Sequence, residues 1–579
     1  MVARAVVAAS PLIRQRRAVV LAASVVVLAT GLYLFLVMIR GDAYFARSDP
    51  IGRVFDEGVE LSAAARVLDG QVPYRDFSLI YAPGQAYVLA TVFWLFGESM
   101  PVARAYDLVI RLLLCLSVYA LARELTSARM ALVPVALATI WLGAAYFYAY
   151  PMFPALLCGV LSTVAWLRFV RDGGRRWLFA SGLLAAMALM FRHDAGVYLV
   201  ASELVVLLAW WCAGRVWWRG NDQERRYSIR HVARSGGTYL LGLGVVLVPV
   251  AVYLLAIVPL PDLWYAFVVF PLVIFRDAFA SPYPALFAPL GLLAGGPGSW
   301  GQSAYAFAHE YVYLDWVMFW TPLLIDVVAL LYVAVVLVRC GRRQQENRAI
   351  WGIALVTVLA LAFFNQAVHR ADRLHSLPAG LLAFVVLCAV ATRAYSAARF
   401  RVPLVVGLVL TALVLAPSYV LYPLGITRDA LQWSDESACA ACPHLTRAGS
   451  LFLFPDQAEA IHFIQQRARP DEAIFVGNAR HDRTQANDAL FAFVAGRRNG
   501  TRYDDLIAGL VGTAGTQERI VSDLQQNRVK WVILSTMFAA SVEPNIVGRP
   551  TGVTRLDDFI RSHYVPVQEF GHYTIWERP

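Results

Sequence analysis

Asp56 and Glu57 stand side by side just after the first long apolar run of the chain. Carboxylates of this kind take protons from hydroxyl groups or bind cations. In the first turn of a helix over 56–69 they are equally well explained by attraction to the helix dipole. Farther along, Arg192-His193-Asp194 sits between two apolar runs, and His369, Arg370, Asp372, Arg373 and His375 crowd the short segment NQAVHRADRLHSLP. Guanidinium forks bind phosphate oxygens in bidentate fashion, so these arginines suit a phosphate. They equally suit pairing with Asp194 and Asp372. Arg104, Asp107 and Arg111 are spaced three and then four apart, which puts them on one helix face, either as a functional cluster or as a self-satisfied one. Cys439 and Cys442 form a C-x-x-C that suits a disulfide in an oxidising compartment.

The elements that must position these residues are membrane helices. Of 579 residues, 59% are hydrophobic and 16% charged, against roughly 45–50% and 25% in ordinary soluble domains. Runs of about 20 apolar residues, enough to cross a bilayer, begin with 18–39. They continue near 103–122, 131–148, 152–170, 177–191, 195–214, 237–259, 313–338, 350–366, 377–392 and 402–422. The expected architecture is therefore mainly α, with about eleven spans. The first run exceeds a signal-peptide core and lacks a small-residue cleavage site, so it reads as retained.

The net charge of +10 does not indicate nucleic acid. Basic residues cluster at 14–17, 123–129, 168–176, 215–234, 339–348 and 393–401. All six fall on one side if 82–97 lies along the membrane surface instead of crossing it. Cytoplasmic loops carry the excess of Lys and Arg, so residues 1–17 are placed inside. The loops 40–102, 260–312 and 367–376 and the tail 424–579 are placed outside. A plain inner face and an elaborate outer one suggest work on the outer surface of a plasma membrane. The transmembrane domain is taken as 18–423.

The tail reads as a small α/β domain. Strands are expected at 473–477 and 531–536, helices at 456–468, 486–495, 516–528 and 554–563, and a hairpin at the end. It contains no phosphate-binding glycine loop and no nucleophile elbow.

The order of these features resembles the GT-C glycosyltransferases, such as the protein mannosyltransferases and the aminoarabinose transferase of lipid A. An Asp-Glu pair follows the first span. A stretch Gly70-x-x-Pro73-Tyr74-x-Asp76-Phe77, then Tyr81-x-Pro83-Gly84, leads into a juxtamembrane helix ending Leu95-Phe96-Gly97. Arg104 opens the next span, and a basic loop ends at Leu377-Pro378. The resemblance implies an integral-membrane enzyme that moves a sugar from a polyprenyl-phosphate donor to an extracytoplasmic glycan, glycolipid or protein. It implies Asp56 as general base in an inverting displacement, with Glu57 assisting or binding a divalent cation. Arg192, Arg370, Arg373 and His375 would hold the donor phosphate, with Asp76, Arg104 and Asp107 in support. One departure is plain: many relatives carry a second acid after the third span, where this chain reads YFYAYPMFP. Asp76 or Asp107 is the expected substitute, and the tyrosines at 146, 148 and 150 are candidates to stack on sugar rings. The competing readings are a lipid-linked glycan flippase or transporter and a non-catalytic envelope-assembly protein.

Overall fold

The computed structural model describes residues 10–217, 229–286, 311–340, 348–397, 401–433, 444–483 and 486–579. Cys439 and Cys442 lie outside them. The chain is mostly helical. It begins with α1 (Ser10–Arg40), which bends by 63° into α2 (Asp42–Ser48), followed by a π-helical turn Gly52–Asp56 and α3 (Glu57–Leu68). Then come α4 (Gly84–Phe96), α5 (Met100–Leu125), α6 (Leu132–Ala144), α7 (Met152–Asp172), α8 (Arg175–Phe191), α9 (His193–Trp217) and α10 (Ile229–Ile257). After a helical segment over 260–278 follow α11 (Tyr311–Cys340), α12 (Arg348–His369), α13 (Arg373–Ala397), α14 (Arg401–Ala416) and α15 (Tyr422–Gln432).

Each of the eleven apolar runs coincides with a helix. Among the described residues eight helices are long and apolar enough to cross a membrane, or nine if the bent α1–α2 pair is one span. The count of eleven is therefore not reached by this measure. α6, with 13 residues, rises only about 20 Å, and α8 has 17. Each packs one face on the bundle and leaves apolar side chains such as Leu132, Val133 and Met187 exposed. α4 is also short, with Trp94, Leu95 and Phe96 exposed at its end. That is the form expected of a helix lying along an interface, with apolar side chains turned to lipid.

Inside the bundle, Glu203 of α9 is buried and fully partnered. Its oxygens accept from Ser162 (2.7 Å), Ser181 (3.1 Å) and Tyr239 (2.7 Å). A carboxyl in an apolar bundle is costly unless hydroxyls from neighbouring helices satisfy it, as here from α7, α8 and α10.

The tail forms α16 (Pro455–Arg467), β1 (Ile474–Asn478), α17 (Ala489–Ala495), α18 (Ala514–Gln526), β2 (Trp531–Ser535), α19 (Arg555–His563), β3 (Val565–Phe570) and β4 (Tyr573–Glu577). The sheet order is β1-β2-β4-β3. β1 and β2 are parallel, and the terminal hairpin adds antiparallel strands. β1 and β2 are buried on both faces, which is why they read as unbroken apolar runs.

The tail does not stand apart from the first loop. Leu61 and Ala64 of α3 and Leu89 and Phe93 of α4 share one apolar core with Ile461, Phe493 and Ile575 of the tail. Gly58 shows how close the approach is: a Cβ there would lie 2.2 Å from the backbone nitrogen of Leu490 in α17. Ser62 Oγ donates to Ala489 O at 3.1 Å.

Candidate active site

The π-helical turn ahead of α3 places Asp56 and Glu57 in opposite circumstances. Glu57 is 1% exposed. Arg104 donates to both of its oxygens, Nε at 2.6 Å and Nη2 at 2.8 Å. Arg53, one turn earlier, adds Nη1 at 3.1 Å, and the Tyr146 hydroxyl donates at 2.9 Å. Asp42 completes the cluster, accepting from Arg53 at 3.2 Å and Arg104 at 3.3 Å. It also accepts from the backbone nitrogen of Phe452 in the tail at 2.6 Å. Two buried acids thus balance two buried arginines. The cluster ties α2, α3, α5, the 145–151 segment and the tail together. Buried charges persist only when paired this completely.

Asp56 is half-buried and, among the described residues, has no hydrogen bond or ion pair. Burial pushes its carboxyl up to about 7, with the charges of Asp49 and Asp372 acting in the same direction and Arg370 opposing them. Glu60, one turn further, is 4% exposed and equally without a described partner. Burial, then the charge of Asp56, raises it to about 8 against the pull of Arg192. Tyr81 and Tyr148 are close enough to feel both carboxyls, and burial keeps their phenols neutral. A half-open, unpaired carboxyl near neutrality is suited to accept a proton from a hydroxyl.

The arginines are less free than their sequence pattern suggests. Arg192 is 6% exposed. It forks onto Asp194 (3.0 and 2.7 Å), donates to Tyr150 OH at 2.8 Å and lies 4.8 Å over the Tyr81 ring. It therefore forms a wall of the pocket. Arg370 donates to Asp372 at 3.1 Å and to both oxygens of Glu543 in the tail, at 3.1 and 3.3 Å. Asp372 caps the start of α13, accepting from His375 N at 2.9 Å, and meets His375 Nδ1 at 2.8 Å. Arg373 is held from two sides. Its Nη2 reaches Asp315 at 3.5 Å, and the guanidinium stacks 4.2 Å over Tyr422. It stands at the mouth of an apolar slot between α6, α11 and α13, lined by Trp141, Met318, Leu377, Phe384 and Tyr419.

The supporting residues part company. Arg104 turns to Glu57, so the expected Arg104–Asp107–Arg111 trio is really one pair. Asp107 receives Arg111 Nε at 2.8 Å, while Arg111 also donates to Ala145 O (3.0 Å) and Tyr146 O (2.5 Å) at the end of α6. Asp76 is away from this pocket. It is partly exposed, paired with Arg75 at 2.7 Å, and it accepts from Val72 N to close the 72–76 turn. Neither acid lies beside Asp56. Among the described residues no three His, Cys, Asp or Glu side chains converge as a metal site would require. Asn499, whose sequence context fits a glycosylation acceptor, uses its amide to donate to Tyr503 O and Asp504 Oδ1.

Sequence reading missed Asp42, Arg53 and Glu60. The signals were present as four-residue spacings, Arg53 to Glu57 and Asp56 to Glu60. Which spacing meant pairing and which meant a pocket depended on what packs opposite.

A family profile described as dolichyl-phosphate-mannose-protein mannosyltransferase matches residues 81–221. No curated protein matches the chain by sequence. Among solved structures, ArnT from Cupriavidus metallidurans bound to undecaprenyl phosphate is 13% identical. The match covers 96% of this chain and 97% of that one, with a TM-score of 0.51. The Archaeoglobus fulgidus oligosaccharyltransferase in complex with Zn and sulfate is 13% identical over 89% of this chain and 68% of that one, at a TM-score of 0.49. The profile covers about a quarter of the chain, and the match to ArnT shows a shared fold; the long apolar helices make this an integral membrane protein.

Proposed function

We propose that this protein transfers a sugar from a polyprenyl-phosphate donor to a hydroxyl-bearing acceptor on the outer face of the plasma membrane, with inversion at the anomeric carbon. The observation that carries this reading is Asp56: an unpaired, half-open carboxyl near neutrality, beside the Arg370–His375 segment, in a GT-C architecture.

In the reaction Asp56 takes the proton of the acceptor hydroxyl. The oxygen attacks the anomeric carbon, and the bond from that carbon to the phosphate oxygen breaks. Its electron pair leaves with the polyprenyl phosphate. Arg373 is assigned to that phosphate; it stands at the edge of an apolar crevice with room for about one water molecule, which a prenyl chain would have to widen to enter. Arg370 adds positive charge once its hold on Glu543 relaxes. Stabilising a leaving group's charge with fixed cations is the largest electrostatic contribution such a site offers. Glu57 is assigned to the scaffold, and His375 to orienting Asp372. ArnT is a protein seen with undecaprenyl phosphate bound, and the shared fold extends the same donor class to this chain. The amino terminus is placed inside and the tail outside, on the distribution of basic residues. The tail is assigned to holding α3 in place.

The test is transfer of labelled sugar from a panel of polyprenyl-phosphate donors into membrane extracts, by wild type and Asp56→Asn, with and without EDTA. Transfer by the wild type and its loss in the variant support the reading. Equal transfer by both removes Asp56 as the base. The EDTA arm reads directly whether a divalent cation is needed.

A further inference from the structure

We propose that Glu60 is a positioning residue that holds a proton beside Asp56, so that the two carboxyls act as a pair with one proton between them: Glu60 neutral, Asp56 the base. This rests on the role of Asp56 proposed above and adds to it.

The geometry is that of one helix face. Residues four apart on a helix are neighbours, and Asp56 and Glu60 share the neighbours Tyr81 and Tyr148. Glu60 is 4% exposed and has no hydrogen bond or ion pair among the described residues. Glu57 on the same helix, equally buried, is held by Arg53, Arg104 and Tyr146. The chain therefore neutralises one buried acid of this helix with arginines and leaves the other without them.

Every charged group facing the pair can be named. Asp49 and Asp372 act on Asp56 with like charge, and Arg370 with opposite charge. Arg192 acts on Glu60, but its fork is already committed to Asp194. Among the described residues Tyr81 and Tyr148 face both carboxyls, Tyr150 faces Asp56 and Tyr106 faces Glu60. Two carboxyls in such a setting do not ionise independently. The first loses its proton near neutrality, and the second holds its own more tightly because the first is charged. Burial and the charges of Asp49 and Asp372 put Asp56 near 7, and burial with the charge of Asp56 puts Glu60 near 8. A neutral Glu60 also leaves Asp56 one like charge fewer beside it, which eases ionisation of the base. When the acceptor's proton arrives on Asp56 the pair holds two protons. It releases one to water to reset.

The first test needs no substrate. Infrared titration of the full-length protein in lipid nanodiscs follows the carbonyl stretch of protonated carboxyls in wild type, Glu60→Gln and Asp56→Asn. The expected result, read as wild-type-minus-variant differences, is a step just above neutrality lost in Glu60→Gln and one near neutrality lost in Asp56→Asn. A carbonyl titration in Glu60→Gln that matches wild type overturns the proposal. The second arm is the pH profile of kcat/KM. Wild type should rise and then fall with pH, and Glu60→Gln, which keeps the shape and a donor, should retain transfer and lose the alkaline fall. A Glu60→Gln variant that folds but is as inactive as Asp56→Asn makes the Glu60 anion essential and also overturns the proposal. If Asp56→Asn transfers normally, the base assignment fails instead, and the infrared result still decides whether the proton is shared.

Discussion

Asp56 and Glu57 are adjacent in the chain and opposite in use. The Glu57 side of α3 meets Arg53, Arg104 and Tyr146, and its charge is cancelled inside the protein. The Asp56 side meets tyrosine rings, two further acids and an arginine already engaged elsewhere. The helix turn between them rotates neighbouring side chains by about 100°, enough to send one into a closed ionic cluster and the other to an open pocket. Carboxylate chemistry thus depends less on the Asp-Glu motif than on which side chain the packing leaves unpaired.

The strongest way to break this comparison is Asp56→Asn. It should lower transfer by about 10²–10⁴-fold, the usual worth of a general base, with the thermal unfolding temperature at or above that of wild type. A large fall in unfolding temperature instead would put Asp56 with Glu57 as a structural residue.

Glu57→Ala should do the reverse. Removing one partner from a buried ionic cluster costs about 3–5 kcal/mol, so unfolding should shift strongly downward. Activity per folded molecule should fall far less than in Asp56→Asn. If Glu57→Ala folds normally and is inactive, Glu57 is catalytic and the contrast collapses.

Gly58→Val tests the support behind α3. A side chain there runs into the backbone of Leu490, and overpacking of this kind costs about 1–3 kcal/mol. Looser docking of the tail should appear as faster proteolysis between 434 and 455. Unchanged proteolysis would show that the tail does not hold α3.

Arg373→Ala should raise the KM for a polyprenyl-phosphate donor by about tenfold to a hundredfold, the worth of a hydrogen bond to a charged group at about 1.5–3 kcal/mol. Arg192→Lys should instead act through Asp194 and Tyr150 and lower kcat. A donor KM unaffected in Arg373→Ala would move the phosphate to Arg370.

A further test is stability against pH. Asp56 and Glu60 have folded-state values raised above their ordinary ones, so between about pH 4 and 8 the folded state binds more protons than the unfolded. Stability from this pair should therefore fall as pH rises through that window and level off above it. Glu60→Gln should flatten part of the fall and raise the unfolding temperature at neutral pH. A wild-type profile that rises across the window would contradict the raised values.

Much of this was legible in the chain itself. Helix locations follow from apolar length, because the bilayer demands about 20 such residues. The tail's strands and helices follow from the switch between unbroken apolar runs and helical spacing. The helix α4 was readable too, from its apolar run and its end at Gly97. The lengths of α6 and α8 were less so. A short apolar helix and a full span look alike when the bundle, not lipid, covers the ends.

The chain alone could list acids and arginines but could not pair them. Arg104 joining Glu57 and not Asp107, Arg370 joining Glu543 from 173 residues away, and Asp42 joining Phe452 of the tail are long-range matters. They depend on how α2, α3, α5 and the tail close around one another. Composition and periodicity report which faces are apolar, since that preference acts residue by residue. Ionic pairing depends on distance in three dimensions, and only the tertiary structure left Asp56 and Glu60 without partners while satisfying Glu57 between them.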